Sequence, residues 1–141
     1  LHDIGKLAVP DGILMHPGGL SRHQRAVMQQ HTYHTYYLIK DIGPDAEQLA
    51  GWAAFHHERL NGTGYPFGLT GEQLDLEARL MAVADITQSL LETRPYRPGM
   101  PKEKVAGILR NNVEAGHIDP DLTELAISHL DEIMSIVDRH R

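Results

Sequence analysis

Apolar residues recur at three- and four-residue spacing through most of the chain, and no segment shows the sustained alternation of a strand. The pattern predicts an all-α fold. Leu1 to about Leu7 reads as the tail of a helix, followed by a connection punctuated by Pro10-Asp11-Gly12 and Pro17-Gly18-Gly19. Ser21 with Gln24 makes a capping box that opens a helix to about Lys40. Pro44-Asp45 starts the next helix, with Leu49, Trp52, Ala53 and Phe55 facing inward, and a glycine-rich loop stops it near His57 or Glu58. Thr70 to Leu74 reads as one turn. Leu76 to Glu92 is a strongly apolar helix through Leu80, Val83, Ala84, Leu90 and Leu91, which predicts a central position. Arg94-Pro95-Tyr96-Arg97-Pro98 reads as a rigid basic loop. Pro101 starts a helix closed by Gly116, and Asp119-Pro120 caps and begins a last helix that runs nearly to Arg141.

The 141 residues amount to one domain's worth of chain, so residues 1–141 are read as a single domain. The longest apolar run is too short to span a bilayer. Cysteine is absent, which removes disulfides and thiolate metal sites and fits a reducing cytoplasm. A net charge of −6 argues against a binder of DNA or RNA polymer, yet bound divalent cations would reverse the sign of a carboxylate-lined site and admit a phosphate-bearing substrate. Ten histidines are many for this length, and they do not form a tract. The chain starts at Leu1 with no leader, which reads as a piece of a longer protein.

The densest chemistry lies in His56-His57-Glu58-Arg59-Leu60-Asn61-Gly62-Thr63-Gly64-Tyr65-Pro66. Two adjacent imidazoles cost helix propensity and offer two neutral nitrogen ligands to one metal. The glycines after them permit close approach to the main chain. His2, Asp3, His31, His56, His57 and Asp85 lie on four helical segments, which can converge on one point in a helical bundle. Asp85 sits in the apolar run Met81-Ala82-Val83-Ala84-Asp85-Ile86, where an unpaired carboxylate is costly and a metal is a good partner. Singly, each histidine is better read as a hydrogen-bonded core or surface residue, and each aspartate as an ion-pair partner; jointly they read as a metal site. His34 shares a helical face with His31 at i, i+3, so the residues alone leave the two open.

With His2-Asp3, Gly5-Lys6 and HHERLNGTGYP in order, the sequence resembles the HD-GYP family of metal-dependent phosphodiesterases, within the wider HD-domain superfamily. The likeness continues through Ile13-Leu14, Pro17 to Leu20, His31, Leu76 to Arg79, Val83-Ala84-Asp85, Arg94 to Arg97 and Gly116 to Pro120, covering the chain to about residue 130. It implies an HD-type helical bundle that lacks its first helices here, and two or three divalent metal ions, with iron or manganese suiting the all-nitrogen-and-oxygen donor set. It implies that Asp3 bridges two ions and that His2 and Asp85 serve the first. His31, His56 and His57 would serve the second, which ranks His31 above His34. Lys6 would reach the scissile phosphate. Gly64, Tyr65 and Pro66 match the loop naming the family, and Arg94 and Arg97 match positions near the cyclic dinucleotide, where guanidinium groups fork to phosphate or stack on guanine.

The activity so implied is hydrolysis of cyclic di-GMP to the linear dinucleotide or GMP, in a cytoplasmic bacterial protein fused to an N-terminal sensor or receiver domain and able to form a homodimer. Two ions about 3.5 to 4 Å apart would activate water and clamp the phosphodiester. The family's upstream helix, with a further His and often a Glu, is absent from this sequence. Thr32 and Thr35 replace a common Pro and Gly after His31, and Gln88 stands where an Asp or Thr is common; these changes are expected to alter pocket shape. Competing readings are an HD-type hydrolase of another nucleotide, including mixed cyclic dinucleotides, and a non-catalytic cyclic-dinucleotide receiver or interaction module.

Overall fold

Ser21 accepts the backbone N–H of Gln24 through its hydroxyl while Gln24 Oε1 accepts the N–H of Ser21, so the longest helix, α2 (Arg22–Ile39), starts where the capping box puts it. The computed structural model describes residues 1–94 and 97–140. Before α2 come a 3-10 helix, Ile4–Ala8, and a one-turn helix, α1 (Asp11–Leu14). α3 (Ala46–Ala54) follows and tightens into a 3-10 turn at Phe55–His57. A 3-10 turn at Gly71–Gln73 leads into α4 (Leu76–Leu91), and α5 (Lys102–Glu114), α6 (Pro120–Ser128) and α7 (Leu130–Arg139) complete the chain. Among the described residues there is no strand, only isolated bridges between Asn61 and Thr70 and between Arg94 and Arg97. The fold is all-α, and no helix among the described residues is long and apolar enough to cross a membrane.

Caps explain the remaining boundaries. Asp75 Oδ1 accepts the N–H of Ala78 at the start of α4, and its other oxygen accepts from Trp52 Nε1 at 2.8 Å, tying α3 to α4. Asp119 accepts from Asp121 and Leu122 at the start of α6, whose first residue is Pro120. Arg79 joins these two caps by pairing with Asp119 at 3.2 Å while donating to the carbonyls of Leu74 and Gly71. Gly116 ends the turn after α5 at φ +76°, a conformation that favours glycine.

Two apolar cores result. Val83, Leu90 and Leu91 of α4 pack with Val105 and Leu109 of α5, Ile118, and Leu130 of α7; full burial of a side chain such as Leu109 is worth roughly 1.5–3 kcal/mol. Ile39, Ala50 and Ala53 form a smaller core with Ile4 and Tyr36 between α2, α3 and the first 3-10 helix.

Several expectations need correction. The N-terminal segment is 3-10 rather than an α-helical tail, because Gly5 lies against the backbone of α2 and tertiary contact sets its shape. The connection at Pro10–Gly12 contains the helical turn α1. Leu49, Leu80 and Ala84 do not face inward: Leu49 is 51% exposed and Leu80 49%, and Ala84 is exposed as well. The buried stripe of α4 is Ala78, Ala82, Val83, Thr87, Leu90 and Leu91. The last helix is two, broken at His129, whose φ of −114° interrupts the helical ladder. Of the basic loop, Pro95 and Tyr96 lie outside the described residues, as does Arg141.

Candidate metal centre

Gly5 determines how the first turn meets α2. A Cβ built there would lie 1.8 Å from the carbonyl oxygen of His31 and 2.6 Å from the amide nitrogen of Thr35, so the two backbones touch where only glycine fits. The N–H of Gly5 donates to Thr35 Oγ1 at 2.9 Å, and that hydroxyl donates to the carbonyl of His2 at 3.3 Å. Thr35 is fully buried, and it fastens the His2-Asp3 turn to the helix that carries His31. Its role became visible only in three dimensions.

Asp3 is the hub of the resulting cluster. Its Oδ1 lies 3.3 Å from His31 Nε2 and 3.7 Å from His56 Nε2, while its Oδ2 lies 2.6 Å from Lys6 Nζ and 3.6 Å from His2 Nε2. His2 Nε2 is also 3.6 Å from Asp85 Oδ1. His31, His56 and His57 place one ring nitrogen each within 4.8 Å of the others, close enough for a single ion. The structure thus gathers His2, Asp3, Lys6, His31, His56, His57 and Asp85 at one place. Asp85 is half-buried rather than fully enclosed.

Hydrogen bonding fixes what these nitrogens offer. His31 Nδ1 meets the carbonyl of Met28 at 2.7 Å, and His56 Nδ1 meets that of Ala53 at 3.0 Å. A carbonyl only accepts, so both Nδ1 atoms carry the proton and, in the neutral ring, both Nε2 atoms present a lone pair. Those Nε2 atoms are buried without a hydrogen-bond partner and face the carboxylate of Asp3, another acceptor. Acceptors facing one another in a buried space call for a cation between them. The donor set therefore fits a metal, with two faces: His31, His56 and His57 on the Oδ1 side of Asp3, His2 and Asp85 on the Oδ2 side.

The electrostatics agree with neutral ligands. Burial, reinforced by His56 and His31, pushes His57 down to about 3, and burial likewise lowers His56.

The glycine loop is built around His57. Gly64 runs against the backbone of His57 to Arg59, where a Cβ would come within 2.5 Å of two main-chain atoms. The N–H of Tyr65 donates to the carbonyl of His57, and the Tyr65 ring stacks on the His57 ring at 5.0 Å with 26° between planes. Burial pushes the Tyr65 phenol up to about 12. Glu58, buried, accepts the N–H groups of Phe67 and Leu69 at 2.6 and 2.9 Å and so closes the loop beyond the cis Tyr65–Pro66 bond. Its role carries no sequence signal beyond a carboxylate beside the histidine pair.

His34 stays outside the cluster and contacts Tyr33. Arg94 and Arg97 are not brought to it either. Arg94 is exposed and lies 3.6 Å from Glu92, and Arg97 donates to the carbonyl of Ser89, one helical turn beyond Asp85 on α4.

The sequence pattern of the HD domain family matches residues 1–122. The chain is 38% identical over 127 residues to the 3'3'-cGAMP-specific phosphodiesterase 1 of Vibrio cholerae, a match covering 90% of this chain and 29% of that protein. It is 45% identical over 98 residues to the cyclic di-GMP phosphodiesterase response regulator RpfG of Xanthomonas campestris, covering 69% of this chain and 26% of that protein. It is 39% identical over 123 residues to the cyclic di-GMP phosphodiesterase PA4108 of Pseudomonas aeruginosa, covering 86% and 29%. The chain spans less than a third of the length of these relatives.

Proposed function

Because this chain belongs to the HD domain family, we propose that it is the hydrolytic part of a cyclic-dinucleotide phosphodiesterase of the HD-GYP type, acting on cyclic di-GMP to give the linear dinucleotide or GMP. The observation that carries the proposal is the pair of buried Nε2 lone pairs, on His31 and His56, aimed at the carboxylate of Asp3. His31, His56 and His57 would hold one divalent ion, iron or manganese, and His2 and Asp85 a second, with the carboxylate of Asp3 available to both. Such ions, when bound, lower the pKa of a water molecule and stabilise the charge that develops on the phosphodiester.

The chain's own side chains do the rest. Lys6, tied to Asp3 through its ammonium, neutralises a non-bridging phosphate oxygen in the transition state. His56 and His57 stay neutral near pH 7 because they are buried, so they remain available as ligands. Tyr65 holds the His57 ring in place by stacking on it. A further His and a Glu from residues upstream of Leu1 would complete the first ion's ligands in the longer protein. A sensor or receiver domain fused there, a cytoplasmic setting and a homodimer belong to the same proposal.

The test uses the full-length protein loaded with manganese and incubated with cyclic di-GMP, beside an Asp3→Ala variant. Linear product from the parent and none from the variant is the expected result; turnover that survives loss of Asp3 overturns the mechanism. A second reading, hydrolysis of a mixed guanine–adenine cyclic dinucleotide, is favoured by likeness to a relative named for 3'3'-cGAMP.

A further inference from the structure

A cavity of about 210 Å³ lies between α2, α3 and the start of α4, and it shares no residue with the metal centre. Its lining joins three aromatic rings, Tyr36, Trp52 and Phe55, to two carboxylates, Glu47 and Asp75. The Tyr36 hydroxyl donates to Glu47 Oε1 at 3.1 Å and Trp52 Nε1 donates to Asp75 Oδ2 at 2.8 Å, so each bond holds one ring beside one carboxylate. Phe55 stacks on Tyr36 at 5.8 Å with 18° between planes. Its ring also lies over Gly51, where a Cβ would come within 2.9 Å of it.

The negative charge of this pocket has no partner among the described residues. No Lys, Arg or His lines it. Glu47 and Asp75 accept only from neutral donors: a phenol, an indole and the backbone N–H of Ala78. Lys40 and Arg79, four residues beyond Tyr36 and Asp75, are engaged by Asp41 at 2.6 Å and Asp119 at 3.2 Å. Aromatic faces attract cations, and unpaired carboxylates attract them more strongly. A bare divalent metal ion asks for six or more oxygen ligands, which ring faces do not supply. The pocket instead suits a cation whose own surface is apolar, an ammonium group carrying alkyl substituents. We propose that this pocket binds an organic ammonium ion, with Tyr36, Trp52 and Phe55 against its alkyl groups and Glu47 and Asp75 balancing its charge. Quaternary ammonium compounds and polyamines share that chemistry.

The test is calorimetric titration of the full-length protein, at fixed ionic strength, with choline, with spermidine and with neohexanol, the uncharged carbon counterpart of choline. The parent is compared with Trp52→Leu and Glu47→Gln. Saturable binding of choline or spermidine is expected, with no binding of neohexanol. Affinity should be about 3- to 30-fold weaker in Trp52→Leu and at least about threefold weaker in Glu47→Gln. Choline binding alone identifies a quaternary ammonium ligand, and spermidine binding alone a polyamine. Glu47 is exposed and its glutamine keeps an acceptor for Tyr36, so Glu47→Gln decides by itself should Trp52→Leu fail to fold. Binding of neither ion, neohexanol binding as tight as that of choline, or ammonium affinity unchanged in either folded variant overturns the proposal.

Discussion

Adding one methyl group at Gly5 should dismantle the metal centre without touching any of its ligands. The new Cβ would lie 1.8 Å from the carbonyl oxygen of His31, and that oxygen belongs to a helix that cannot yield as a side chain can. The first turn must therefore withdraw by about 2 Å to reach ordinary van der Waals contact. Overpacking of this kind costs roughly 1–3 kcal/mol, and loss of the Gly5 N–H bond to Thr35 adds about 1 kcal/mol. The effect on metal should be larger still, since His2 and Asp3 ride on the same turn and metal–ligand distances tolerate only about 0.2 Å. Gly5→Ala is expected to lose about 2–4 kcal/mol in denaturant unfolding and to bind manganese about 10- to 100-fold more weakly. Gly107→Ala is the control, because a Cβ there meets nothing within 4 Å and the site lies in the middle of α5. Should the Gly5→Ala protein match the Gly107→Ala protein in both stability and manganese titration, the reasoning fails.

Acid should weaken the metal-free protein. His57 falls from 6.5 to about 3 on folding, so between those values the unfolded chain binds the extra proton and stability is lost as pH drops. Unfolding at about pH 5 is expected to require roughly 2 kcal/mol less than at about pH 7.5, and more if His56 contributes; a flat profile would show that His57 is not buried neutral. Glu58→Ala leaves the N–H groups of Phe67 and Leu69 without their acceptor and should cost about 2–4 kcal/mol by denaturant midpoint. Glu58→Gln, which keeps one acceptor oxygen, should cost less, and an Ala variant as stable as the parent would contradict the loop's dependence on Glu58. Thr35→Ser keeps the hydroxyl that bonds Gly5 and should retain manganese, whereas Thr35→Val should lose it at least in part; equal manganese titrations for the two would refute the role of that hydroxyl.

Local signals in the chain were legible wherever backbone chemistry is local. The capping box at Ser21 and Gln24, the cap at Asp119-Pro120 and the stop at Gly116 all stand where the residues place them. The break at His129 was invisible because the apolar stripe Leu122, Ala126, Leu130, Ile133, Val137 runs through it without a glycine or proline. Leu49 and Leu80 misled because apolar character alone does not say which side of a helix meets the core, and Leu80 instead lines an open groove with Leu125 and Ile136. At the candidate site the residues that converge were legible by type and spacing, jointly with the family likeness. The residues that hold them were not: Thr35 and Glu58 act through hydrogen bonds to segments 30 and about ten positions away, a relation no local pattern encodes.

Manganese uptake, followed by the electron paramagnetic resonance of the free ion, bears most directly on the claim that cations sit between Asp3 and the buried histidine nitrogens. The full-length parent should remove manganese from solution tightly, and Asp3→Ala should release it. A parent that takes up no more manganese than Asp3→Ala would contradict the claim, leaving the facing lone pairs of His31 and His56 to some other partner.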